Sequence, residues 1–222
     1  IVSDMVPYTQ TNDEETWECT VTPSDGITTG ATASAAATIT GIRPNILLCG
    51  NSNASISNIM ATTGLSFSIS SGCYPDSNTQ AMFVTRSGST NSSWPAYVQN
   101  GGIIISEWNF SDDVFTAVFQ SVSQGSWNGD CSDNFTEVYQ FNSNDPFWQD
   151  LGWNGQVGGT GCGYDITNFP GITPIAGWSA SAVSTAYREL GSGRVWLAEF
   201  DWQDGSLNSR TLTVLGYMAI NK

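Results

Sequence analysis

The spacing of hydrophobic positions changes rhythm partway along the chain. From Thr16 to Pro23 (TWECTVTP), apolar and polar residues alternate with period two, the signature of a strand that buries one face. Ser24-Asp25-Gly26 supplies turn chemistry, and the small-residue run Ala33 to Ile39 alternates again, so this stretch predicts a β-hairpin. From Asn45 onward the alternation gives way to short, continuous apolar runs. Asn45-Ile46-Leu47-Leu48-Cys49-Gly50 and Gly102 to Trp108 read as strands buried on both faces, with further strands at Leu65 to Ile69 and Ala81 to Val84. Helical spacing lies between them: Ala54 to Gly64 carries Ile56, Ile59 and Met60, and Ser92 to Asn100 stops at Gly101-Gly102. Ser111-Asp112-Asp113 opens a third helix as cap and dipole partner, with Val114, Phe115, Val118 and Phe119 on its inner face. Gly125 to Gly163 is rich in Trp, Gly and Asn and weakly periodic, with one helix expected near Pro146 to Leu151. Beyond it, Ile172 to Trp178 and Arg194 to Trp202 read as strands. Ser179 to Leu190 (ended by Gly191) and Ser209 to Ile220 read as helices.

Repeated alternation of strand and helix predicts a parallel sheet flanked by helices, an α/β sandwich of three layers. Three regions follow: an extended arm over 1–15, a hairpin over 16–43, and an α/β domain over 44–222. The chain begins at Ile1 without Met or a signal pattern, so either a leader has been removed or the sequence is a piece of something longer.

The hairpin resembles the closing strands of bacterial immunoglobulin-like repeats. The residues that carry the likeness are Trp17, Cys19, Val21, Pro23, Asp25 and Gly26, followed by Ala37-Thr38-Ile39. The earlier strands of such a sandwich are absent, and two strands alone are marginal in water. The α/β region resembles the flavodoxin-like domains of class I glutamine amidotransferases and trehalose-utilisation proteins. That likeness rests on Asn45 to Gly50, on Gly101-Gly102-Ile103-Ile104-Ile105, and on Gly193 to Trp202 (GRVWLAEFDW). It implies a fold and no activity. The amidotransferase mechanism needs a nucleophilic Cys on a sharp strand-to-helix turn, activated by His. The corresponding turn offers Ser106-Glu107-Trp108, and the sequence contains no His.

Composition narrows the picture further. Net charge is -14, yet only 12% of residues are charged, so neutral polar residues cover most of the surface. Such a surface repels nucleic acid and anionic lipid. No apolar run is long enough to span a membrane. Lys222 is the only lysine, and the absence of His also removes Ser-His-Asp hydrolysis and zinc or haem sites. Gly158 to Gly163 is Gly-rich, but it does not join an early strand to a helix and no Lys follows, so it reads as a surface turn rather than a phosphate cradle. No cofactor or metal is expected; Asp130, Asp133, Asp201 and Asp204 lack EF-hand spacing.

Carboxylates are the remaining candidate chemistry. Glu107, Asp112, Asp113, Glu199, Asp201 and Asp204 fall near strand ends, where two could act as a glycosidase-like pair. Trp108, Trp178, Trp196 and Trp202 would suit sugar stacking, although core filling by these Trp and helix capping by the acids explain the same pattern. Five cysteines occur, none as C-x-x-C. Their positions predict disulfides Cys49–Cys73 and Cys131–Cys162, with Cys19 buried and unpaired. Four sequons, at Asn53, Asn91, Asn109 and Asn134, permit glycosylation without indicating it, being about as many as this composition supplies by chance.

These observations together predict a non-catalytic, extracellular structural subunit of a filament or surface assembly. Its partners would be copies of itself joined head to tail, with Ile1, Val2, Met5 and Val6 as anchors of an exchanged N-terminal strand. The competing readings are a carbohydrate-binding or weakly hydrolytic surface domain, and a phage decoration or tail protein.

Overall fold

A computed structural model describes residues 16–38, 45–50, 56–64, 67–120, 128–132, 139–151, 161–165, 169–199, 201 and 209–221. Contacts divide the chain into two compact units, Ile1–Arg43 with Gly64–Ser66, and Pro44–Thr63 with Phe67–Lys222.

In the first unit, β1 (Thr16–Val21) pairs antiparallel with β2 (Ala33–Thr38), Thr16 opposite Thr38 and Val21 opposite Ala33. Asp25 organises the connection, its Oδ1 accepting the N–H groups of Ile27 at 2.9 Å and Thr28 at 2.7 Å. Alternation sorts the ribbon into two faces. Trp17, Cys19 and Val21 share one with their partners Ala37, Ala35 and Ala33; Thr16, Glu18 and Thr20 share the other with Thr38, Ala36 and Ser34. One face is therefore wholly apolar, yet every residue of both strands is exposed. Cys19 is free, and it is exposed rather than buried as the sequence suggests. A two-stranded ribbon has no second layer of its own to cover an apolar face.

In the second unit, five parallel strands form the first part of the sheet: β3 (Asn45–Cys49), β4 (Ser68–Ser71), β5 (Thr79–Val84), β6 (Ile103–Glu107) and β12 (Gly193–Ala198). Their spatial order is β4-β3-β5-β6-β12. Counting only these strands, the order is 2-1-3-4-5, that of flavodoxin-like folds. Each strand sends alternate residues to opposite faces. Ile46, Phe83, Ile103, Ile105 and Trp196 meet α1 (Ile56–Ala61), α4 (Pro146–Leu151) and α5 (Ser209–Ile220) on one side. Leu47, Met82, Ile104, Val195 and Leu197 meet α2 (Trp94–Gln99) and α3 (Ser111–Phe119) on the other. Burial on both faces explains why these strands read as continuous apolar runs.

Beyond β12 the sheet departs from the expected parallel arrangement. β11 (Ala182–Leu190), β10 (Thr173–Ser179) and β8 (Tyr139–Gln140) continue it antiparallel. β9 (Gly161–Asp165) pairs with both β11 and β7 (Asn128–Ser132). The segment Ser179 to Leu190, read from sequence as a helix, is thus mostly strand. Its Ala, Ser and Glu suit a helix, and Val183 to Ala186 are buried on both faces, which erases the alternation a half-buried strand would show. Pairing on both sides overrides that propensity. Gly191, at φ 63°, makes the tight return from β11 to β12, a conformation glycine adopts without strain. Gly161-Cys162-Gly163 likewise lies in a strand, where the sequence reads as a turn.

Candidate functional site

The carboxyl ends of β5, β6 and β12 converge, and charged side chains collect there. β6 is apolar until Ser106-Glu107, both without solvent exposure. The backbone then turns sharply. Trp108 has φ 38°, in the left-handed region that costs a non-glycine residue about 1–2 kcal/mol, and a single 3-10 turn, Trp108–Phe110, leads into α3.

Three sets of contacts hold this elbow. The Arg86 guanidinium, just past β5, lies 4.8 Å from the centre of the Trp108 ring and 3.5 Å from Asp201 Oδ2. The Arg86 backbone N–H donates to Glu107 Oε2 at 2.9 Å. Across the elbow, Ser106 Oγ and Ser111 Oγ are 2.9 Å apart, Ser106 Oγ donates to the Trp196 carbonyl at 2.8 Å, and Ser111 Oγ is 2.8 Å from Glu199 Oε1. Ser111 is therefore no side-chain cap of α3: Phe110 holds the cap position without a side-chain bond, and the Ser111 hydroxyl is committed to the interior.

Glu199 is completely buried, and its Oε2 has no hydrogen-bond partner among the described residues. Burial pushes its carboxyl well above the ordinary range; the Ser111 bond opposes this, and the nearby charges of Asp112 and Glu107 add to it. Asp112 is itself raised, chiefly by desolvation, although it lies in the first turn of α3, where the helix dipole favours a carboxylate.

The structure thus brings together Glu107, Asp112, Glu199 and Asp201 from the predicted acids, while Asp113 is exposed at the same helix start. Glu107 and Glu199 have no accessible surface through which a glycoside could reach them. Trp196 is core, Trp178 is half-buried, and Trp108 lies under Arg86. Among the described residues no His/Cys/Asp/Glu group is arranged to hold a metal ion. Trp202, Asp204, Asn53, Asn134, Asp133 and the anchors Ile1, Val2, Met5 and Val6 lie outside the described residues. Asn91 caps the approach to α2, accepting the Ser93 N–H at 2.8 Å, and Asn109 sits in the 3-10 turn.

Cys49 and Cys73 are bonded, with Cα atoms 4.6 Å apart, because β3 and β4 are neighbours and both residues emerge at their carboxyl ends. In β7 and β9, Cys131 stands opposite Cys162 in the backbone register.

Sequence reasoning passed over Arg86, Ser106 and Ser111 as site residues. The available signal was a hydroxyl and a carboxylate interrupting otherwise apolar runs, Ile-Ile-Ile-Ser-Glu and Trp-Leu-Ala-Glu.

The 2-1-3-4-5 order of the parallel strands, with helices on both faces, defines a flavodoxin-like α/β domain. No protein-family model and no curated protein matches the sequence. Among solved structures, a putative GMP synthase component from Thermoplasma acidophilum is 13% identical with a TM-score of 0.50, over 80% of this chain and 94% of that one. PurLQS from Thermotoga maritima is 10% identical, TM-score 0.49, over 80% and 95%. A cytoplasmic protein from Salmonella typhimurium is 10% identical, TM-score 0.45, over 92% and 94%. At such identity the likeness is one of fold alone.

Proposed function

We propose that this chain is a non-catalytic structural subunit of an extracellular filament or surface assembly, with the α/β unit as a rigid body and the hairpin as its joint. The observation that carries the reading is the hairpin's exposed apolar face, formed by Trp17, Cys19, Val21, Ala33, Ala35 and Ala37. A half-sandwich of immunoglobulin-like type gains stability by covering that face with added strands. The segment we assign to this role is residues 1–10 of another copy, anchored by Ile1, Val2, Met5 and Val6. Such a contact is heterologous and propagates into an open filament unless its rotation closes a ring.

Two features support the non-catalytic half of the reading. The elbow that would present a nucleophile in an amidotransferase-like domain presents Trp108, covered by Arg86, and the sequence has no His to activate one. The Cys49–Cys73 disulfide supports an oxidising exterior. Electron microscopy of purified protein, with and without residues 1–10, tests the proposal. Polymers should form with the intact chain and vanish on truncation, while circular dichroism of the α/β unit stays unchanged. Persistent polymers would refute strand exchange. Monodisperse monomers that bind or cleave glycans would favour a carbohydrate-directed surface domain.

A further inference from the structure

The two ends of the large sheet are finished differently. β8, at one end of the strand order, has only two residues, and register shifts interrupt its neighbour β10. β4, at the other end, reads Ser68-Ile69-Ser70-Ser71, and among the described residues it pairs with β3 alone. The Gly72 N–H donates to the Leu48 carbonyl at 2.8 Å. Backbone groups alternate sides along a strand, so Ser70 turns its N–H and C=O toward β3, while those of Ile69 and Ser71 face outward. Sheets commonly guard such an edge with a charge, a proline or a bulge, and β4 has none of these.

Charge and apolar exposure single out the same edge. From Pro44 to Pro75, a stretch that contains β3, α1 and β4, the chain carries no Asp, Glu, Lys or Arg, although its net charge is -14. Two copies of so acidic a chain repel one another least where the charge is missing. Outside the hairpin, the large apolar side chains exposed among the described residues are Ile69, Tyr74 and Tyr139, and the first two lie on β4 and just beyond it. The edge is also preformed, since the Cys49–Cys73 disulfide fastens the chain after β4 to the end of β3, and little ordering remains to be done on docking.

We propose that β4 is the docking edge for a second copy of this chain, the two β4 strands pairing antiparallel about a two-fold axis so that the large sheet continues from one subunit into the next. The outward groups fix the register. Ile69 of each copy lies opposite Ser71 of the other as a hydrogen-bonded pair, and the two Ser70 residues face each other across the axis as a non-hydrogen-bonded pair. The partner is another copy because an uncharged edge offers nothing to attract a basic one, whereas a two-fold contact is self-complementary. This contact does not rest on the hairpin. It joins subunits in closed pairs, and with a head-to-tail contact elsewhere it would pair whole filaments.

Cross-linking of the full chain tests it. Residues facing each other in a non-hydrogen-bonded pair have Cα atoms about 4.5 Å apart, within reach of a disulfide. In a Cys19→Ser background, Ser70→Cys should give covalent dimers on a non-reducing gel with oxidised glutathione as oxidant, whereas Ser181→Cys, in the exposed β10–β11 turn, should not. Adding Ile69→Glu to Ser70→Cys places like charges diagonally across the axis and should lower the dimer fraction severalfold. Val21→Asp, on the hairpin face, should leave that fraction unchanged even where it removes polymers. No dimer above the Ser181→Cys control would leave the edge to another occupant, an arm or a foreign peptide, and overturns the proposal. A dimer fraction insensitive to Ile69→Glu, or abolished by Val21→Asp, overturns it as well. If the Ile69→Glu chain fails to fold, Ile69→Lys replaces it with the same expected loss and the same refuting result.

Discussion

The two halves of the large sheet, meeting at β12, are built on different principles. In the parallel half helices cover both faces, and Ile46, Phe83, Ile104, Ile105 and Val195 are fully buried. In the antiparallel half, β10, β11 and β12 return through tight loops, with Ser179 opposite Ala182 and Leu190 opposite Gly193. Register shifts interrupt β10 between Pro174 and Ser179, and the two residues of β8 are exposed. The elbow and the buried acids belong to the parallel half. A strained Trp108 persists only where its surroundings over-determine it. Strand ends enclosed by helices on both faces supply that, whereas a hairpin edge can relax.

The two halves should therefore respond unequally to mutation. The largest effect should come from Phe83→Ala in the parallel core, costing about 3–5 kcal/mol in denaturant unfolding. A loss near that of a surface substitution would show the parallel half is not the stable framework. Next, removing the Cys49–Cys73 bond by paired Ala substitutions should cost about 3–4 kcal/mol, from the entropy of opening its loop in the unfolded chain. Non-reducing peptide mapping should also return Cys131–Cys162, which would staple the antiparallel half, and a free, rapidly alkylated Cys19. A Cys19 linkage to either pair would refute that assignment.

A smaller effect comes from pH. Glu199 and Asp112 keep their protons in the folded chain over a range where the unfolded chain has lost them. The native state then binds more protons, so stability falls as pH rises from the ordinary carboxylate range through the raised folded values. Asp25 and Asp76, lowered by hydrogen bonds to Thr28 and Thr79, act oppositely: their contribution is present above the ordinary value and fades as pH falls. Melting followed from pH 5 to 9 should decline in the native chain and less steeply in Glu199→Gln, where Asp112 still contributes. Least of all, Tyr139→Ala on exposed β8 should cost under about 1 kcal/mol. A cost matching Phe83→Ala would erase the distinction between the halves.

Legibility in the sequence followed the same division. Asn45 to Gly50 and Gly102 to Trp108 announced themselves because double-sided burial demands unbroken apolar runs. The helices at Pro146–Leu151 and Ser209–Ile220 coincide with the spans read from the sequence. Ser179 to Leu190 did not, since its small residues suit either structure and only neighbours on both sides select the strand. Residues 128–132 and 161–165 carry too many Gly, Asn and Asp to signal strands, and pairing alone makes them so.

The sequence by itself determined the apolar runs that become the core strands, the lack of any imidazole, and a Ser-Glu-Trp turn after Ile105 with no cysteine in it. These follow from composition and local order. Tertiary structure alone decided that Glu107, Asp112, Glu199 and Asp201 meet at one end of the sheet and that the Ser111 hydroxyl donates to Glu199. Ser111 and Glu199 stand 88 positions apart in the chain, and the protonation of such a contact depends on burial that no local pattern encodes.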